Sequence, residues 1–105
     1  MEFIDLRKEL KNVRFEELRH DRDDYLEAVV KKDEFAKLTA VVEKILGTAI
    51  PQSQLPQGIE NVIGKFGGIM HGQSLYLKNL GKDEVMAMFW PWQDGEHTTV
   101  KIIKR

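Results

Sequence analysis

The architecture of this chain is most evident near its C terminus, in 85-VMAMFWPWQDGEHTTVKIIK-104. Two runs rich in apolar residues flank an Asp-Gly pair, which is the strongest short-range indication of a β-hairpin. We predict strands at 84–92 and 97–104, preceded by a strand at 69–78. Together these three segments would form an antiparallel meander.

Pro91 decides the length of the hairpin turn, because proline has no N–H to donate to a neighbouring strand. A two-residue Asp-Gly turn would make Pro91 and Thr98 a hydrogen-bonded pair and leave that bond unmade. We therefore predict a four-residue turn closed by Trp92 and His97. Pairing on the other side of the strand should end before Pro91.

This register gives the hairpin two apolar faces. The first face carries Val85, Ala87, Phe89, Val100 and Ile102. The second face carries Met86, Met88, Trp90, Trp92, His97 and Ile103, joined by Tyr76 and Met70 if the strand at 69–78 has the matching phase. One apolar face of a sheet can be buried in the core of the domain, whereas a second apolar face must be covered by a further partner. We therefore take Tyr76 and the six hairpin residues of the second face as candidates for an interface or a ligand site.

Two helices are expected in the first half of the chain. The helix predicted at 3–18 has an apolar stripe at helical spacing, made by Phe3, Leu6, Leu10 and Val13. The helix predicted at 34–46 is clearer, because Asp33 can act as its N-cap and Gly47 as its C-terminal stop.

The segment 25–31 suits either a helix or a strand. Leu26, Ala28 and Val30 alternate with charged residues as in a strand, and the polar run at 20–24 argues against one continuous helix. We favour the strand. The sequence therefore predicts a single α+β domain over residues 1–105, with a small antiparallel sheet packed by two helices and a weak helical element at 59–66.

Composition narrows the class of partner. The formal net charge is -1, which provides no long-range attraction to nucleic acid or to a membrane surface. There is no cysteine, no leader peptide pattern and no apolar run long enough to span a bilayer. We expect a cytoplasmic protein that binds neither nucleic acid nor membrane.

The motifs of catalysis and metal binding are incomplete. The glycines at 58 and 64 are one residue too far apart for a P-loop, and Phe66 replaces its Ser or Thr. The histidines His20, His71 and His97 have no metal-ligand spacing. We predict no catalytic residue, metal or cofactor, and keep acid–base catalysis by His71 or His97 as the weakest alternative.

Three hypotheses account for the second face. The N-terminal helix could cover it within the same chain and make a three-layer domain. The favoured hypothesis is a non-enzymatic binding or assembly module that forms a homodimer, or binds a protein partner, with Met88 and Trp90 at the centre. The alternative is a small-molecule groove lined by Trp90, Trp92, Tyr76 and His97 and closed by the uncharged segment 48–57.

Overall fold

A computed structural model of the chain describes residues 3–50 and 74–105. Their elements, in chain order, are α1 (Phe3–Leu10), β1 (Glu17–Asp21), β2 (Tyr25–Lys31), α2 (Lys32–Leu46), β3 (Ser74–Leu80), β4 (Asp83–Pro91) and β5 (His97–Lys104). The described strands form one antiparallel sheet in the order β1-β2-β5-β4-β3, which confirms the predicted α+β class. The element predicted at 59–66, with Met70 and His71, lies outside the described residues.

The hairpin between β4 and β5 has the predicted turn. The backbone N–H of Trp92 donates to the carbonyl of His97 across 2.8 Å, and the missing N–H of Pro91 leaves no ladder bond unmade. The cross-strand partners are as predicted: Met86 with Ile103, Met88 with Lys101, Phe89 with Val100 and Trp90 with Thr99. The pairing described between β3 and β4 extends to Phe89, before Pro91.

The segment 25–31 is strand β2, as favoured, and it lies between β1 and β5 in the sheet. Leu26, Ala28 and Val30 are buried on one side, while Tyr25 and Val29 are buried on the other. A strand covered on both faces loses the clean alternation of apolar and polar residues. This is why its sequence was compatible with a helix as well.

The predicted helix at 3–18 is wrong in length, because α1 ends at Leu10. The chain then turns, and the N–H of Glu16 donates to the carbonyl of Val29 across 2.8 Å as β1 begins. Val13 is nevertheless buried in the core, so the stripe identified buried positions correctly while the helix had already ended. Every residue of β1 is exposed, which leaves no periodic pattern to reveal the strand.

Helix α2 agrees with the prediction at its end and differs at its start. Gly47 has a φ of 84°, and its N–H donates to the carbonyl of Glu43 across 3.0 Å. The predicted cap at Asp33 is wrong: Lys31 is the N-cap and makes no side-chain capping bond. Asp33 lies in the first turn, where its charge interacts favourably with the helix dipole.

Both helices contribute to the same core, on the first face of the sheet. That core joins Leu6 of α1 and Leu38 and Val42 of α2 to Phe89 and Ile102 of the sheet. The three-layer arrangement with α1 on the second face is therefore wrong. Neither helix in the described ranges has the length and apolar character needed to cross a bilayer.

Candidate functional site

Tyr76 lies on the first face, which corrects its assignment to the candidate site. Its ring centroid is 5.2 Å from that of Phe89, and its hydroxyl oxygen is 3.5 Å from Oε1 of Glu43. Burial and the nearby carboxylate raise the pKa of this hydroxyl. Leu75 and Leu77 occupy the second face instead. Because β3 has apolar residues at three successive positions, its phase could not be read from the sequence.

The middle of the second face is buried. Met86 and Met88 are both 0% exposed, and Ile103 is 5% exposed. They belong to a second apolar cluster whose described members all come from strands, including Tyr25 and Leu75. The extended exposed patch expected around Met88 is therefore not found, which removes the two methionines as direct contacts for a partner.

The two tryptophans lie at the turn end of the second face and retain contact with solvent. Trp90 is partly buried and packs against the methionine cluster, whereas Trp92 is 38% exposed. The indole N–H of Trp92 donates to Oγ1 of Thr99 across 2.8 Å. Its ring centroid is 4.8 Å from that of His97, with 31° between the ring planes. Trp92 is thus held in position although it lies beyond the end of β4.

Each tryptophan has a cation against its ring. The guanidinium carbon of Arg19 is 5.9 Å from the centroid of Trp92, and Nζ of Lys101 is 4.3 Å from the centroid of Trp90. Both distances are within the range of cation–π attraction. We call these four residues, Arg19, Trp90, Trp92 and Lys101, the cation–tryptophan surface.

Glu27 of β2 links the two cations of this surface. Its carboxylate oxygens are 3.8 Å from Nη1 of Arg19 and 4.0 Å from Nζ of Lys101. It also accepts a hydrogen bond of 2.5 Å from the hydroxyl of Tyr25. Burial, followed by this bond to Glu27, raises the pKa of Tyr25. The carboxylate therefore joins both cations in one partly buried network.

Arg19 lies at an irregularity in the pairing of β1 with β2. The pairing of β1 with β2 shifts register between Leu18 and His20, so Arg19 is the extra residue of a β-bulge. Bulges of this kind change the direction of a side chain relative to a regular strand. Arg19 and Glu27 were missed at the sequence level, whereas the hairpin register already placed Thr99 and Lys101 beside the tryptophans.

His97 is paired with Asp94 of the turn. Its Nδ1 is 2.7 Å from Oδ2 of Asp94, whose Oδ1 accepts the backbone N–H groups of Glu96 and His97 across 2.9 Å and 3.1 Å. The hydrogen bond from the backbone N–H of Glu96, and after it the bond with the imidazole of His97, hold the pKa of Asp94 below its usual value. A carboxylate of this kind orients an imidazole, and an acid–base role for His97 stays a prediction.

No three His, Asp or Glu side chains within residues 3–50 and 74–105 converge closely enough to hold a metal ion. Comparison of the chain with protein-family models, with curated proteins and with solved structures returns no match.

Proposed function

We propose that this chain is a non-enzymatic binding or assembly module that docks a second copy of itself through the cation–tryptophan surface. The observation that carries the proposal is Trp92, a large aromatic side chain that is 38% exposed and yet fixed by a hydrogen bond to Thr99. A tryptophan that is already immobilised loses little further conformational entropy when a partner covers it.

The chemistry of the surface matches that of interface centres. Tryptophan and arginine are the residues most enriched among those that dominate binding energy. Here Arg19 lies against Trp92 and Lys101 against Trp90, on a sheet whose backbone is held by neighbouring strands. The centre of the proposed interface is therefore shifted from Met88 to the tryptophans.

Oligomeric mass in solution tests this proposal. Sedimentation equilibrium over a wide concentration range should detect a dimer, and Trp92→Ala should weaken it by more than about tenfold, as expected for a central tryptophan. Leu18→Ala is a matched control, because Leu18 is also exposed but belongs to the opposite side of the sheet. A chain that stays monomeric at millimolar concentration would reject self-association.

A protein partner of a different sequence is the other form of the proposal. It applies if the chain is monomeric while a purified partner binds the wild type and loses affinity for Trp92→Ala. Arg19→Gln should weaken the same complex, because it removes the cation while keeping a polar side chain of similar length. Equal binding by wild type and both variants would exclude the cation–tryptophan surface as the interface.

A small planar guest is a second candidate, favoured by the tilted stack of Trp92 on His97. A flat ligand could stack on the outer side of Trp92 in place of Arg19. Tryptophan fluorescence during a titration with a metabolite panel would detect it. A saturable change that is lost in Trp92→Ala, in a chain that remains monomeric, would favour this candidate over self-association.

A further inference from the structure

We infer that a groove between α1 and β1, on the opposite side of the sheet from the cation–tryptophan surface, binds a small amphipathic carboxylate. The groove has a volume of about 280 Å³. Its apolar wall is formed by Leu10, Val13, Phe15, Leu18 and Leu26. This volume is at the small end of the range for ligand sites, so the guest is smaller than a typical drug molecule.

The groove exists because the helices leave the edge of the sheet open. Helix α2 packs on β2, β3 and β5, and α1 packs against α2. Strand β1, at the edge of the sheet, has every residue exposed. Leu18 points to the helix side, opposite Ala28, and is 49% exposed. An apolar side chain is thus held in water beside buried apolar neighbours, and a ligand chain that covers it is favoured by the hydrophobic effect.

The polar part of the groove favours an anion. Arg7, Lys11 and Asp21 line it together with the apolar wall. Arg7 donates to the carboxylate of Asp21 and to the carbonyl of Arg22, so the charges of Arg7 and Asp21 offset one another. Lys11 is exposed and makes no ion pair with any residue in the described part of the chain. The remaining charge is therefore positive, next to an apolar wall.

The size of the guest follows from the volume. A volume of about 280 Å³ lies just below the range of about 300–1,000 Å³ that is typical of ligand pockets, so the groove suits a short chain. We take a linear carboxylate of about eight carbons as the guest, with its chain against Leu18 and Phe15 and its carboxylate near Lys11. The charge of Lys11 distinguishes this guest from an alcohol of the same length.

Titration with octanoate, below its micelle concentration, tests the inference in the full chain labelled with ¹⁵N. We expect saturable shifts of the amides of Leu10, Val13 and Leu18. Lys11→Gln should weaken octanoate about threefold, the usual size of one exposed charge pair. Leu18→Ser should weaken it at least about fivefold, because half of a leucine side chain no longer contacts the guest.

The controls separate the site from non-specific binding. Lys82→Gln, in the turn between β3 and β4, should leave octanoate affinity unchanged. Octan-1-ol should bind to the wild type more weakly than octanoate does. In Lys11→Gln, the alcohol and the acid should bind with equal affinity. Shifts that do not saturate, shifts centred on Trp92, or equal affinity for the alcohol and the acid in the wild type would each overturn the inference. An unchanged affinity in Leu18→Ser, with the variant folded, would do the same.

Discussion

Trp92 donates its indole N–H to the hydroxyl oxygen of Thr99 across 2.8 Å, which ties a residue beyond the end of β4 to the third residue of β5. Thr99 lies opposite Trp90 in one direction and opposite Val29 in the other. Val29 is also part of the second face and is only 1% exposed, like the methionines of that face. The bond therefore positions the indole of Trp92 on the second face, next to the cross-strand pair of Trp90 and Thr99.

Removing this acceptor should loosen Trp92. Thr99→Val keeps the shape of the side chain and deletes the hydroxyl, so we expect a loss of about 1 kcal/mol in the free energy of unfolding, typical of one hydrogen bond. Urea denaturation measures the loss, and the indole ¹⁵N–H resonance reports the freed donor. Thr98→Val, on the other side of β5, should leave that resonance in place. An unshifted indole resonance in Thr99→Val would contradict the bond.

Met88 should tolerate no charge. The side chain is 0% exposed, so Met88→Asp places a carboxylate among apolar groups without a partner. We expect a loss of about 4 kcal/mol or more, which is in the range that marks a defect of the core. Trp92→Asp, at a position that is 38% exposed, should cost much less in the same denaturation assay. Equal losses in the free energy of unfolding for the two variants would contradict the burial of Met88.

Gly47 should resist replacement because of its backbone alone. Its φ of 84° and ψ of -162° lie in a region that is populated almost only by glycine, while a Cβ atom built there meets nothing within 4 Å. We therefore expect Gly47→Ala to cost about 1–3 kcal/mol in thermal or urea unfolding. Asn tolerates the ordinary left-handed region at ψ near 45°, so Gly47→Asn should restore little of this loss. Full stability of Gly47→Ala would show that the helix end adopts another conformation.

Asp94 should make stability depend on pH in the acid range. Its pKa is lowered in the folded chain by the backbone N–H of Glu96 and by His97. The stabilisation is present above the unfolded pKa, about 3.9, and is lost as the pH falls through the lower folded value. Asp94→Asn cannot titrate, so its free energy of unfolding should fall less steeply than that of the wild type below about pH 4. Asp23→Asn, in the exposed turn after β1, controls for the change in net charge, and parallel profiles for wild type and Asp94→Asn would refute the prediction.

The hairpin and α2 could be predicted from sequence because their determinants are local. The absent N–H of Pro91 set the turn length, and the positive φ of Gly47 ended the helix. The errors arose where the local sequence pattern was absent or was compatible with two different structures. Tyr76 lies between two leucines, so either phase of β3 presents apolar residues to either face. Strand β1 is exposed at every residue, so it has no periodicity from which Arg19 could be located.

Turn chemistry and apolar periodicity therefore identified the α+β class, the register of β4 and β5, and the two tryptophans of the candidate site. They act over a few residues, through backbone sterics and hydrogen bonds between near neighbours. The position of both helices on one face, the burial of Met86 and Met88, and the contact of Arg19 with Trp92 depend on residues far apart in the chain. Packing between distant segments decided these features, because a side chain's exposure depends on its neighbours in space and is not encoded in the spacing of its own strand.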